Sequence, residues 1–175
     1  LPTPRDIAPF QLTDHNGEIF NHQSLVGHWS FLFFGFTNCP DVCPTSLAVL
    51  GQVENELKRS APESLDRFKV RLVSVDPETD TIERLRPYVE AFSPNFLGVR
   101  GEELELAPFA RQVHVAFAKV PLRSSLTDVE THSYTVDHSS NIVIINPRGH
   151  YHGFIKLPHK AETIRLAYQT LDAQF

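Results

Sequence analysis

The feature that most constrains this chain is a run of almost wholly apolar residues at positions 29–36, with the sequence WSFLFFGF. The run has the length of a β-strand and falls far short of the roughly 18 apolar residues needed to span a bilayer. A strand with almost no polar position cannot expose a face to water, so we expect it in the centre of a sheet that is covered on both faces. An α/β domain, with helices packed on a central sheet, provides that cover.

The apolar periodicity of the rest of the chain predicts strands and helices in alternation. Strands are expected at residues 68–75, 96–99 and 115–120, and helices at residues 81–92, 102–113 and 160–172. Another helix is expected to follow the Cys/Pro segment and to run to about residue 59. A hairpin is expected at residues 10–20, because Asn16 followed by Gly17 is the strongest short hairpin signal. A second hairpin is expected where residues 141–146 and 151–155 flank a turn. The predicted fold is therefore α/β, with a central mixed sheet flanked by helices and an added N-terminal β-hairpin.

Length and charge narrow the class of protein further. A chain of 175 residues is about one domain, which we place at residues 10–175. Residues 1–9 contain three prolines and are expected to form an extended leader that tethers the domain. The chain has no methionine, even at position 1, so we expect a longer product with a signal or anchor upstream. The net charge of −5, without any basic run, argues against nucleic acid or anionic lipid as the main partner.

The two cysteines, Cys39 and Cys43, lie where the buried strand should end and the first helix should begin. Ligands of open α/β sheets bind at such places. If the helix starts near Cys39, the spacing puts both sulfur atoms on one face of its first turn, close enough for a disulfide or a shared metal ion. The N-terminus of a helix also lowers the pKa of a thiol. A purely structural disulfide would stabilise little, because it closes a short loop. The other inert alternative is a pair of buried thiols that form no bond. We favour redox-active or metal-binding thiols over both alternatives.

Two thiolates form a soft donor set that suits Cu(I) or zinc, and either metal usually takes a further ligand such as imidazole. Of the nine histidines, His138 is the candidate, because residues 134–140 are predicted to form the loop that leads into the next strand. His132 is the nearest rival. His150 and His152 alternate on a predicted strand and are expected to face solvent.

Three segments together resemble the Sco/SenC family of copper proteins. They are FGFTNCPDVCP at residues 34–44, SVDPETDT at residues 74–81 and YTVDHS at residues 134–139. The resemblance extends from the opening hairpin to the last helix, and the order of the Cys-x3-Cys-Pro, Val-Asp-Pro and Asp-His-Ser motifs makes it specific. It implies a thioredoxin-like fold. It also implies a site in which two cysteines and a histidine bind one copper ion, as Cu(I) or Cu(II); the matching residues are Cys39, Cys43 and His138.

The resemblance also implies a function and a place. Sco/SenC proteins help to build the dinuclear copper centre (CuA) of cytochrome c oxidase, which implies a copper chaperone rather than an enzyme. The implied partner is the oxidase subunit that carries CuA, and other periplasmic copper carriers or thiol reductants are further candidates. The expected place is the periplasmic side of the bacterial inner membrane, held there by the upstream anchor. The mitochondrial intermembrane space is the alternative.

The sequence is also compatible with two other functions. The redox pair Cys39 and Cys43 could belong to a thiol-disulfide reductase that acts on the copper-binding cysteines of the oxidase. A peroxiredoxin-like peroxidase is the weaker rival. Residues 43–45 resemble part of a peroxiredoxin site, but a peroxidase would leave Cys39 and His138 without a role.

The second motif contributes two acidic residues with less definite roles. Asp76 matches a family position near the site and could be an outer group that supports the metal ligands. The plainer alternative is an acid that shapes a Pro-containing turn. Asp80 is expected to cap the helix predicted at residues 81–92.

Overall fold

The computed structural model describes residues 3–121 and 134–175. Its strands are β1 (Gln11–Asp14), β2 (Ile19–Asn21), β3 (Trp29–Gly35), β4 (Phe68–Ser74), β5 (Leu97–Arg100), β6 (Phe117–Pro121), β7 (Tyr134–His138), β8 (Ile142–Ile145) and β9 (Tyr151–Ile155). Its helices are α1 (Val42–Ser60), α2 (Pro62–Leu65), α3 (Ile82–Glu90), α4 (Glu103–Gln112) and α5 (Ala161–Gln174), and a 3-10 turn at His22–Leu25 follows β2. The predicted alternation of strands and helices is confirmed.

The main sheet is mixed, and within the described residues its order is β2-β1-β5-β4-β3-β8-β9. The central strands β3, β4 and β5 run parallel, because helices return the chain from the end of one strand to the start of the next. The hairpin β1–β2 extends one side of the sheet by pairing antiparallel with β5. The hairpin β8–β9 extends the other side by pairing antiparallel with β3. The prediction of a mixed sheet with an added N-terminal hairpin is confirmed.

Strand β3 forms the middle of the core, and every one of its residues is buried. Helix α1 packs against the sheet with an apolar stripe that recurs at three- and four-residue intervals. The stripe consists of Cys43, Leu47, Leu50, Val53 and Leu57, all without exposed area. Helix α5 packs beside α1, where Arg165 Nε lies 3.2 Å from Glu56 Oε2. Residue Cys43 is thus both the first member of the core stripe of α1 and a candidate functional residue.

Three separate parts of the chain converge at one edge of the sheet. The carboxyl ends of β3 and β4 meet there, because these strands are parallel and Gly35 pairs with Ser74. Strand β8 is antiparallel to β3, with Ile142 opposite Phe33, so the chain that precedes Ile142 reaches the same edge. The segment with the two cysteines, the turn after β4 and His138 are therefore neighbours in space.

The condition for the two cysteines to share one helical turn, a helix that starts near Cys39, is not met. Helix α1 begins at Val42 rather than near Cys39. The reason is that Cys39 precedes Pro40, and the ring of a proline disfavours helical backbone angles in the residue before it. The two cysteines therefore do not share a helical turn: Cys39 lies in the turn before α1, and Cys43 lies in its first turn.

The predicted loop at residues 134–140 is also wrong in its first part. Residues Tyr134–His138 form strand β7, which pairs antiparallel with β6 in a separate two-stranded sheet. Aromatic and β-branched residues favour a strand in this segment, but the pairing with β6 decides the structure. His138 is therefore the last residue of a strand, opposite Phe117.

The described part of the N-terminal segment follows the surface of the domain. Arg5 forms an isolated β-bridge with Tyr151, Ile7 is buried, and the N–H of Ala8 donates to Gln112 Oε1 at 2.5 Å. Whether residues 1–9 tether the domain to an upstream anchor stays a prediction. Among the described residues, no helix is both long and apolar enough to cross a bilayer.

Candidate metal centre

The two cysteines are free thiols held at the start of α1. Both are buried, with 8% of Cys39 and 0% of Cys43 exposed. The backbone N–H of Cys43 donates to the Cys39 sulfur, with an N···Sγ distance of 3.4 Å. N–H groups in the first turn of a helix have no partner within the helix. The Cys39 sulfur therefore takes the place of a capping side chain, a role that Asp41 at the N-cap position does not fill with its own side chain.

The imidazole of His138 is oriented with Nε2 toward the cysteines. Nε2 lies 3.5 Å from Cys43 Sγ, and Nδ1 lies 3.2 Å from the carbonyl oxygen of Ser139. Only a protonated Nδ1 can donate to that carbonyl, which leaves Nε2 with the lone pair that a metal ion needs. The rings of Phe33 and Phe36 meet the imidazole nearly at right angles, at centroid distances of 6.0 and 5.8 Å, and so restrict its rotation.

The three side chains singled out in the sequence meet at one point. The sulfur atoms of Cys39 and Cys43 and a ring nitrogen of His138 all lie within 4.8 Å of one another. Thiolates and imidazoles bind metals at about 2.0–2.3 Å, so ligands around one ion lie roughly 3.5–4 Å apart. Small side-chain movements are sufficient to close the site around a metal ion. Among residues 3–121 and 134–175, no other group of cysteine, histidine and acidic side chains is arranged in this way.

The two thiols are not equivalent as acids. Hydrogen bonding from the Cys43 thiol lowers the pKa of Cys39 against the opposing effect of burial, and backbone N–H groups lower it further. The same thiol-thiol hydrogen bond, together with burial, raises the pKa of Cys43. The favoured state is thus a Cys39 thiolate that accepts a hydrogen bond from the Cys43 thiol. A metal ion bound by both sulfur atoms displaces that remaining proton.

Asp80 is part of this edge of the sheet, and its sequence assignment as a helix cap is wrong. The residue that caps α3 is Thr81, whose hydroxyl accepts from the N–H of Arg84. The Asp80 carboxylate is fully buried and accepts from the Thr37 N–H at 3.1 Å, the Thr37 hydroxyl at 2.5 Å and the Ser74 hydroxyl at 2.7 Å. Position alone could not reveal this, because an aspartate just before a helix is usually an exposed cap.

Asp76 lies in the turn between β4 and α3 and is buried. Its backbone carbonyl accepts from the N–H groups of Thr79 and Asp80, and its own N–H donates to the Ser74 hydroxyl. These bonds give Asp76 a role in the shape of the turn. A role as an outer group that supports metal ligands stays a prediction.

The rival histidines are held by other contacts. His150 Nε2 lies 3.2 Å from Asp6 Oδ1 near the surface. His152 packs edge-on against Trp29, with a centroid distance of 5.1 Å, and is half-buried, so the expectation that it faces solvent is wrong. His132 lies outside the described residues.

Comparison with known proteins gives consistent matches over most of the chain. A model of the SCO1/SenC family matches residues 2–171. The SCO2-like protein of Rickettsia prowazekii is 37% identical over 144 residues, which are 82% of this chain and 66% of that protein, so the chain matches about two thirds of this curated relative. Two structures solved with copper bound are also similar. ScoI of Arabidopsis thaliana has a TM-score of 0.83 and 28% identity, covering 96% of this chain and 98% of that chain. ScoI of Bradyrhizobium japonicum has a TM-score of 0.79 and 32% identity, covering 94% and 99%.

The fold and the site together define a class of protein. It is a thioredoxin-like α/β domain with an added N-terminal hairpin, in which two cysteines and a histidine meet at the carboxyl edge of the central strands. The family match, which spans nearly all of the sequence, narrows this class to one family. The chain belongs to the SCO1/SenC family.

Proposed function

We propose that this protein is a copper chaperone that binds one copper ion through Cys39, Cys43 and His138. The observation that carries the proposal is the convergence of two sulfur atoms and one imidazole nitrogen within 4.8 Å. Thiolates are soft ligands that favour Cu(I), and imidazole also suits Cu(II). The two similar ScoI structures solved with copper bound support the choice of metal.

The surroundings of the three side chains suit a metal that must be held and then released. Cys39 is already favoured as a thiolate, and His138 directs Nε2 toward the cysteines while Nδ1 faces the Ser139 carbonyl. Copper needs only to displace the proton of the Cys43 thiol. A Cys39–Cys43 disulfide would remove both soft ligands, so we expect copper and the disulfide to exclude each other.

The test is an anaerobic titration of the reduced protein with Cu(I) against a competing chelator, with thiols counted before and after. We expect one copper per chain. Cys39→Ser or Cys43→Ser should abolish tight binding, because each removes a thiolate. His138→Ala should weaken Cu(II) binding more than Cu(I) binding, because imidazole is the harder ligand of the three.

The matched control for the imidazole is His150→Ala. His150 is a half-buried histidine whose ring contacts Asp6 rather than the cysteines. The His150→Ala variant should therefore have the copper stoichiometry and copper affinity of the wild type. Wild-type copper affinity in a Cys39→Ser/Cys43→Ser double variant would refute the proposed site.

We further propose that the protein delivers copper to the CuA centre of cytochrome c oxidase, on the periplasmic side of the bacterial inner membrane. The Sco/SenC membership supports this role. The test is complementation of a bacterium that lacks its own Sco protein, with CuA absorbance of the isolated oxidase as the readout. The full-length gene should restore the absorbance, and the version with Cys39→Ser and Cys43→Ser should not. Fractionation of the tagged full-length product distinguishes the periplasm from the mitochondrial intermembrane space.

The unequal acidity of the two thiols favours one second candidate, a thiol-disulfide reductase for the copper-binding cysteines of the oxidase. The Cys39 thiolate would attack the substrate disulfide, forming a mixed disulfide and releasing one substrate thiolate. Cys43 would then displace the second substrate sulfur, which leaves a Cys39–Cys43 disulfide and a substrate with two thiols. The metal-free protein, mixed with an oxidised CuA domain, should transfer two electrons in this way. His138→Ala should retain this transfer while losing Cu(II) affinity, which separates the two functions.

A further inference from the structure

We propose that Asp80 is a positioning residue for Cys39, and that its buried carboxylate holds the turn at Thr37 and Asn38 that sets the place of the Cys39 sulfur. This inference deepens the proposed function and rests on the assignment of Cys39 as a copper ligand and redox thiol. Asp80 itself is not placed in contact with the metal. It acts through the backbone two residues before Cys39.

Cys39 depends on this turn because it lies outside α1. Cys43 is fixed by the hydrogen-bonded first turn of the helix, whereas Cys39 is held by its own N–H, which donates to the Phe36 carbonyl at 3.1 Å, and by its sulfur, which accepts from the Cys43 N–H. Its neighbours Asn38 and Pro40 are exposed, so packing does little to hold them. The conformation of residues 36–38 therefore sets where the Cys39 backbone lies, and with it the reach of the Cys39 sulfur toward the Cys43 N–H.

The Asp80 carboxylate ties this turn to the body of the sheet. One oxygen accepts from the Thr37 hydroxyl at 2.5 Å, and the other accepts from the Thr37 N–H at 3.1 Å and from the Ser74 hydroxyl at 2.7 Å. Ser74 is the last residue of β4, so the carboxylate bridges the ends of the two central strands. A buried carboxylate is costly unless it is fully hydrogen-bonded, and these donors, all neutral, supply that bonding.

Arg84 holds the same turn from the outside. Its Nε donates to the Thr37 hydroxyl at 2.7 Å, and its Nη2 donates to the Asn38 side-chain oxygen. The Thr37 hydroxyl thus accepts from Arg84 while it donates to Asp80. The turn before Cys39 is clamped between a buried carboxylate and a guanidinium on α3.

Removal of the carboxylate should loosen Cys39 specifically. Asp80→Ala leaves the buried Ser74 hydroxyl and the donors of the half-buried Thr37 without this acceptor, and the turn then relaxes toward other conformations. Groups that orient metal ligands usually change affinity by 10- to 100-fold when they are removed. Looser placement of one sulfur also lowers the tendency of the pair to close into a disulfide.

A matched control separates positioning from general destabilisation. Glu54 is another buried carboxylate, which accepts from the Ser93 hydroxyl at 2.5 Å and the Asn95 amide at 3.2 Å. It lies on α1 three turns beyond Cys43. Glu54→Ala should therefore destabilise the fold in the same manner without disturbing the turn that carries Cys39.

The first experiment uses metal-free protein at equilibrium with glutathione. In this reaction the Cys39 and Cys43 thiols reduce one glutathione disulfide to two glutathione thiols and form the Cys39–Cys43 disulfide. We expect Asp80→Ala to lower the equilibrium constant for disulfide formation about tenfold, which is about 30 mV for a two-electron couple. Glu54→Ala should change it less than twofold. Asp80→Asn should restore only part of the wild-type value, because its amide oxygen can still accept from the Thr37 hydroxyl while its NH2 group, which can donate to Ser74, replaces the oxygen that accepted from the Thr37 N–H.

The second experiment measures Cu(I) affinity of the same variants. Asp80→Ala should lower it about tenfold, and Glu54→Ala should not. If Asp80→Ala fails to fold, Thr37→Val is the test, since it removes only the hydroxyl link and should shift both quantities about threefold. Equal values for the Asp80 and Glu54 variants, or wild-type values for Thr37→Val, would overturn the positioning role and leave the copper proposal intact. A shifted thiol equilibrium in a protein that binds no copper would instead support the positioning role and refute the copper site.

Discussion

Gly35 offers the sharpest test of the described geometry, because it ends β3 directly against Cys43. A Cβ atom at this position would lie 2.8 Å from Cys43 Sγ, 3.2 Å from Phe33 Cε1 and 3.3 Å from Leu72 Cδ1. Non-bonded heavy atoms prefer separations of about 3.5–4.0 Å. In Gly35→Ala the buried sulfur must therefore move by about 1 Å.

Two measurable effects follow from this displacement. Overpacking of a well-filled core costs about 1–3 kcal/mol of unfolding free energy, so Gly35→Ala should be destabilised by that amount. Metal sites tolerate deviations of only about 0.2 Å in ligand distances. A 1 Å movement of one sulfur should therefore lower Cu(I) affinity at least tenfold, or about 1.4 kcal/mol.

Gly98→Ala is the matched control. Its Cβ would lie 3.0 Å from Leu85 Cβ, a comparably tight contact on β5 between other parts of the core. This variant should show a similar loss of stability and wild-type copper affinity. Urea unfolding of the reduced, metal-free proteins measures the first quantity, and competition for Cu(I) measures the second. Full copper affinity in Gly35→Ala would show that Cys43 does not need its described position, and the argument from steric contact would fail.

Three further predictions concern pH, redox state and the core. Burial, followed by the charges of neighbouring basic side chains, lowers the pKa of His28 from 6.5 to about 4. The unfolded chain therefore binds a proton there before the folded protein does, and the stability contributed by neutral His28 is lost as pH falls from 6.5 to 4. At pH 4.5 the lost stability amounts to about 2 kcal/mol after allowance for partial exposure. In urea unfolding, the free energy of unfolding of His28→Gln should therefore fall by about 2 kcal/mol less between pH 7 and pH 4.5 than that of the wild type. Protein oxidised to the Cys39–Cys43 disulfide should bind no Cu(I) until a thiol reductant is added. Metal analysis after gel filtration measures the bound copper, and copper that stays with the oxidised protein would contradict this prediction. Leu50 has no exposed area on α1, so Leu50→Ala should cost about 2–5 kcal/mol in urea unfolding; a loss below 1 kcal/mol would contradict the described packing.

The elements that could be predicted are those with a local physical signature. Almost every residue of β3 is apolar, which is the pattern of a strand buried on both faces, and the strand lies where the sequence predicts it. The hairpin β1–β2 could be predicted because Asn16 and Gly17 tolerate the backbone angles of a tight turn, and Gly17 has a φ of +81°. Both features are properties of a few adjacent residues, so no distant contact was needed to recognise them.

The elements that could not be predicted depend on partners elsewhere in the chain. Residues Tyr134–His138 form a strand because β6 supplies hydrogen-bonding partners. Asp80 has the sequence position of a helix cap, but the donors of Thr37 and Ser74 bring it into the interior. A short polar segment has too little pattern of its own to distinguish these outcomes.

The sequence by itself determined the chemistry that the site can offer. Two sulfur atoms four residues apart at a strand-to-helix junction, and a histidine in a family motif, were readable from the chain alone. Only the tertiary structure decided that these atoms meet. Cys43 and His138 are 95 residues apart in sequence, and they become neighbours because β8 pairs antiparallel with β3, with Ile142 opposite Phe33. Strand register and direction are set by long-range pairing of backbone groups, and this pairing produces no local sequence pattern around Cys43 or His138.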